Sequence, residues 1–174
     1  MILTSRIQLA DLCNELGLTG FAVEIGTDQA VYARQFLTRW KGYQLICVDP
    51  YEPYDEMTWD RSTDIAFAIS NLSPFAVDGR VRLLKTAEHA AKIIRENGRQ
   101  PEFVYIDGDH WKSGEDIAFW YPLLAPGGIL AGHDYSQRYY PEIVSSVTSL
   151  CNRENLTLTL IQEPGGDSWF VRKP

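Results

Sequence analysis

Hydrophobic and polar positions along the chain switch repeatedly between a helical period and short apolar runs. In "SRIQLADLCNELG", Ile7, Leu9, Leu12, Cys13 and Leu16 recur near helical spacing, and the segment stops at Gly17, a residue suited to a C-terminal cap. The apolar run "FAVEIGT", residues 21–27, reads as a short buried strand ending in a turn. Helical spacing returns in "QAVYARQFLTRWKG", residues 29–42, and "YQLICVDPY" follows as a second strand. A helix at about residues 60–72, a strand in "VRLLK" (81–85) and a helix over 87–98 lead to the strand "EFVYID" (102–107). A helix over 114–124 ends before Pro126-Gly127-Gly128. "GILAGHD" is the fifth strand, and 141–155 a long helix. The last stretch, "LTLTLIQEPGGDSWFVRK", holds two β-rich runs joined by Pro164-Gly165-Gly166-Asp167, the pattern of a hairpin.

Five alternations of strand and helix followed by a hairpin predict an α/β fold. It is a doubly wound, seven-stranded, mostly parallel sheet of Rossmann-like form, with helices on both faces and an antiparallel C-terminal hairpin strand. No repeat or long linker interrupts the pattern, so residues 1–174 are expected to form one domain. Sheets of this kind bind ligands at the carboxyl ends of their strands, where loops and helix N-termini converge.

Charge narrows the ligand. The formal balance is −7, from 16 Lys and Arg against 23 Asp and Glu. Nucleic acid is therefore not an expected partner, because phosphate binding needs a basic face. A small molecule is. "MILTSRIQLADLC" has neither the apolar core of a signal peptide nor a membrane span, so a cytoplasmic location is expected, with no membrane partner. Cys13, Cys47 and Cys151 are odd in number and sit in apolar patterns, which fits reduced core thiols.

Polar residues cluster where the strands end. At the first, Gly26 lets the backbone turn beside a ligand while Glu24 offers a carboxylate; the plain alternative is a strand-to-helix turn. GxGxxG is absent, which argues against a pyrophosphate cradle. At the second, Asp49 lies 23 residues past Gly26, near the interval at which an acid binds ribose hydroxyls, although a turn carboxylate before Pro50 is the competing role. Thr86 is placed either to cap the following helix or to contact a nucleobase. The fourth and fifth strands run into Asp107, Asp109, His110, His133 and Asp134. These carboxylates and imidazoles suit acid–base chemistry or a hard cation such as Mg²⁺, and singly could be helix caps.

The segment "FVYIDGDHWKSGEDIAFWYPLLAPGGILAGHDY" resembles a small class I S-adenosylmethionine-dependent methyltransferase family that carries an "IDGDH…D…W…L…PGG…HDY" block and is related to metal-dependent O-methyltransferases. The likeness extends from "VEIG" through "VDPY" to "GHDY". It implies S-adenosyl-L-methionine as cofactor. Glu24, Gly26 and Thr27 would line its methionine and ribose end, Asp49 would hold the ribose hydroxyls, Thr86 and Ala87 would flank the adenine, and Asp107 would lie near its amino group. One departure is Ala30, where family members often carry a glycine.

The same resemblance implies O-methylation of a small-molecule hydroxyl. Asp107 and Asp134, 27 residues apart, match the spacing of the metal-binding acids, and His133 stands where another acid is usual; Mg²⁺ would be held by these three. His110 takes the offset of the catalytic base, while an alternative register through Asp109-His110-Trp111-Lys112 makes Lys112 the base. The catalytic set is thus His110, Asp107 and Asp134. Residues 51–60, acidic and aromatic, could form a lid over the acceptor or a loop whose Trp59 packs on the body. A homodimer could supply a further wall. Two other classes fit parts of the pattern: a metal-dependent phosphoesterase, which leaves Glu24 and Asp49 unexplained, and a non-catalytic S-adenosylmethionine-binding protein, which would tolerate loss of His110 and Asp134.

Overall fold

The structure, a computed structural model, describes residues 2–52 and 61–174; most of the stretch read as a lid, 53–60, lies outside the described residues. Seven strands form one sheet: β1 Phe21–Ile25, β2 Gln44–Val48, β3 Val81–Leu84, β4 Pro101–Ile106, β5 Ile129–Gly132, β6 Thr159–Ile161 and β7 Ser168–Arg172. Their spatial order is β3-β2-β1-β4-β5-β7-β6. The first five are mutually parallel, and β7 runs antiparallel between β5 and β6, as the hairpin pattern predicts. Strand order reverses between β1 and β4, so a crevice opens at their carboxyl ends.

Both central strands β1 and β2 are buried at every position, the reason their sequences read as continuous apolar runs rather than alternating ones. Successive side chains nevertheless serve opposite faces. Ala22, Leu45, Cys47, Phe103 and Tyr105 pack against α1 (Leu9–Glu15), α2 (Val31–Arg39) and α3 (Ser62–Ala76). Val23, Ile25, Ile46, Val104 and Ile106 pack against α4 (Ala87–Glu96), α5 (Ser113–Leu123) and α6 (Pro141–Glu154). Cys13 and Cys47 are buried thiols and Cys151 is half-buried; all three are free.

Helix α2 is shorter than its apolar pattern at both ends. Asp28 and Ala30 take left-handed backbone angles, with φ of 47° and 60°, so the chain turns before the helix begins. At the far end the backbone extends at Trp40, whose indole N–H donates to the Leu18 carbonyl at 2.8 Å, and Gly42 lies directly under that ring. Helix α3 runs to Ala76, beyond the expected end, and takes Pro74 in its last turn. Among the described residues no helix is long and apolar enough to cross a membrane.

Candidate active site

The crevice holds a cavity of about 640 Å³, within the range of small-molecule and cofactor sites. Glu24, Gly26, Thr27, Asp49, Asp107, His110 and Asp134 all line it, and so do Arg6, Arg61 and Lys112.

Gly26 makes the close approach of two strand ends possible. Its φ is 84°, and a Cβ there would stand 2.1 Å from the Asp107 carbonyl oxygen. The Asp107 N–H donates to the Ile25 carbonyl at 2.8 Å, so the loop after β4 is tied to the end of β1. Beneath this junction Glu24 is 3% exposed. Burial pushes its carboxyl up to about 8. Glu24 Oε2 and Thr27 Oγ1 are buried without a hydrogen-bond partner among the described residues. Buried polar atoms left in that condition are costly unless a ligand satisfies them.

Asp49 is held from three sides. One carboxylate oxygen accepts from the Tyr51 N–H at 2.8 Å; the other accepts from the Asp28 N–H at 2.9 Å and from Arg61 at 3.3 Å. Arg61, itself buried, also pairs with Asp28 at 3.1 Å and Asp64 at 3.1 Å. It arrives from just before α3, so the ribose-site acid predicted from β2 is oriented by a cation that no local pattern around Asp49 reveals.

Beyond Asp107 lies a group of titratable side chains. Asp107, His110 and Asp134 each bring a potential ligand atom within 4.8 Å of the others. The His110 ring nitrogen Nε2 is 2.9 Å from one Asp134 carboxylate oxygen, and His133 Nδ1 is 3.2 Å from the other. Burial alone would raise the Asp134 carboxyl, but these two imidazoles hold it well below the usual carboxylate range. The Asp134 bond in turn raises His110, partly opposed by its burial. Burial raises Asp107, with His133 and Arg6 pulling the other way. Asp134 itself sits at φ 57°, one of the few non-glycine residues in the left-handed region. Tyr140 stacks on the His110 ring, centroid to centroid 4.2 Å, and so restricts its orientation.

His110 joins Asp107 and Asp134 in this group, and His133, the expected third ligand, also reaches both acids, at 3.2 Å from Asp134 and 4.0 Å from Asp107, from outside the cavity lining. Asp109 lines the same cavity with its carboxylate already engaged. It caps the Trp111 N–H at 3.1 Å and pairs with Lys112 at 3.3 Å. Thr86 and Ala87 stand apart from the cavity lining, and the Thr86 hydroxyl caps α4 by accepting from the His89 N–H at 3.2 Å. Sequence reasoning missed Arg6, whose guanidinium reaches Asp107 at 3.3 Å from the amino-terminal segment.

A mostly parallel sheet of this order, with acids at the ends of β1, β2 and β4 around one cavity, is the frame of a Rossmann-like ligand-binding domain. Residues 23–135 match a family model for a methyltransferase domain, and the chain belongs to that family. No curated protein matches the chain by sequence. Among solved structures, the O-methyltransferase TomG from Streptomyces achromogenes, involved in tomaymycin synthesis and in complex with S-adenosylmethionine, aligns at TM-score 0.68 and 18% identity, covering 97% of this chain and 80% of that one. An O-methyltransferase from Bacillus cereus in complex with S-adenosylhomocysteine gives 0.67 and 17%, over 96% and 80% of the two chains. The calicheamicin methyltransferase CalS11 gives 0.71 and 14%, over 97% and 80%. At these identities the likeness establishes a shared fold.

Proposed function

We propose that the protein methylates a hydroxyl of a small molecule, with S-adenosyl-L-methionine as donor and His110 as base. One observation carries this reading: a single cavity is lined both by Glu24 and Asp49 and by the His110–Asp134 pair. The orphaned Glu24 and Thr27 oxygens fit a ligand rich in hydroxyl and ammonium donors. When bound, the cofactor supplies a methyl group already activated on a sulfonium. What remains for the protein is to align the acceptor and to take its proton.

Asp134, held ionised, is acceptor-only, so His110 donates through Nε2–H and keeps Nδ1 as its basic nitrogen. Tyr140 stacking and the Asp134 bond together fix the ring, and His110 Nδ1 receives the hydroxyl proton. Lys112 is the weaker candidate for base: its side chain is 62% exposed and paired with Asp109.

The Asp107, His110 and Asp134 group favours a second reading in which Mg²⁺ takes part. Two carboxylates and an imidazole suit a divalent cation, which would lower the acceptor's pKa and position it. Family membership removes the support for a phosphoesterase. The test is methyl transfer from labelled S-adenosylmethionine to a panel of phenols, catechols and sugars, with and without Mg²⁺. His110→Ala is expected to keep cofactor binding and lose about 100-fold or more in turnover. Unaltered turnover would refute the assignment.

A further inference from the structure

The amino-terminal segment delivers one guanidinium to the heart of the cavity. Ser5 caps a short 3-10 turn, Arg6–Gln8, and the Arg6 N–H donates to Glu163 at 2.8 Å, so the backbone at this point is pinned to the C-terminal hairpin region. The side chain lies over the Tyr32 ring, 5.5 Å from guanidinium carbon to centroid, and Tyr32 in turn stacks on Tyr105 at 4.1 Å. Two aromatic rings and a backbone tether thus aim Arg6 along the end of β4.

At that end Arg6 uses a single nitrogen. Nη1 reaches the Tyr105 hydroxyl at 3.4 Å and the Asp107 carboxylate at 3.3 Å, and these are its side-chain hydrogen bonds among the described residues. The planar fork is built for two parallel bonds to a carboxylate, and here it makes one long one. Of the other cations lining the cavity, Arg61 is taken up by Asp28, Asp49 and Asp64, and Lys112 by Asp109. Arg6 alone among them faces Asp107.

Resting on the S-adenosylmethionine reading above, we propose that Arg6 receives the carboxylate of the ligand's amino-acid end, and that the Arg6–Asp107 pair exchanges for contacts with that zwitterion. On binding, the ligand carboxylate takes the guanidinium and its ammonium takes Asp107, so two loose partners exchange for two matched ones. Arg6 is then a specificity residue: it selects ligands that keep the α-carboxylate.

The experiment is calorimetric titration of the wild-type protein and of Arg6→Gln with S-adenosylmethionine and with its decarboxylated analogue, which retains adenosine, sulfonium and amine. The wild type is expected to prefer the carboxylate-bearing ligand by roughly 10- to 100-fold, the range set by a charge-assisted hydrogen bond. In Arg6→Gln that preference disappears, because affinity for S-adenosylmethionine falls while affinity for the analogue stays within about threefold. Arg6→Lys, which keeps the charge without the fork, retains part of the preference and serves should the glutamine variant not fold. A role confined to tethering the amino-terminal turn would weaken both ligands equally, and that result overturns the proposal. So does a wild type that binds both ligands alike. A wild type that binds neither overturns the cofactor reading itself, a different failure from the one that concerns Arg6.

Discussion

Replacing Glu24 by Gln tests whether this carboxyl is kept for binding at the expense of stability. The side chain is 3% exposed, and Oε2 has no partner among the described residues. Burial pushes the folded-state carboxyl up to about 8, against 4.5 for the free group, so the folded chain holds a proton that the unfolded chain has already released across that interval. Stability must therefore fall as pH rises from about 4.5 to about 8 and level off above it. At ~1.4 kcal/mol for each pH unit, the full interval amounts to about 5 kcal/mol. Glutamine keeps the shape and cannot ionise, so the difference between wild type and Glu24→Gln isolates this one group. The assay is urea unfolding of both proteins from pH 5 to pH 9 without ligand. The two are expected to be similar near pH 5, and the variant should gain several kcal/mol on the wild type by pH 9. The same variant should bind S-adenosylmethionine more weakly, since the ligand's donors lose an ionisable acceptor. A stability difference that stays constant across the pH range would refute the reasoning.

Three further perturbations follow from the geometry. Gly26→Ala places a methyl 2.1 Å from the Asp107 carbonyl oxygen at a φ of 84°; it should cost about 3 kcal/mol in urea unfolding and abolish ligand binding, whereas a loss below 1 kcal/mol would contradict the packing described. Arg61→Met leaves Asp49 and Asp64 buried without their cation and should cost about 3–5 kcal/mol, read as a lowered urea midpoint that recovers when Asp64→Asn is added. Lys112→Met should leave turnover within about threefold, while His110→Ala lowers it by about 100-fold; the reverse pattern would move the base to Lys112.

The strands were legible because β1, β2 and β4 are nearly all buried, and a strand covered on both faces writes itself as an apolar run. The acids at their ends stood out for the same reason: Glu24 and Asp107 interrupt or follow such a run, where only a turn or a ligand explains them. The third member of the titratable group was harder. His133 precedes Asp134 in the chain and meets both acids, but His110 comes to the same group from the short turn after Asp109, 24 positions before Asp134. Arg6 and Arg61 left no local signal. Each meets its carboxylate through the tertiary fold, Arg6 across 101 positions from Asp107, and an isolated arginine in an amphipathic stretch looks like a solvated one. Ala30 shows the opposite case. The resemblance flagged it as a place where glycine is usual, and its φ of 60° supplies the physical reason.

The central claim is that the cavity at the ends of β1, β2 and β4 takes S-adenosylmethionine. Calorimetric titration of the wild-type protein with that compound, beside Asp49→Ala, tests it most directly. Saturable binding of one equivalent by the wild type, weakened about tenfold or more in Asp49→Ala, is the predicted result. Absence of binding to the wild type, or equal binding by the two proteins, would contradict the account.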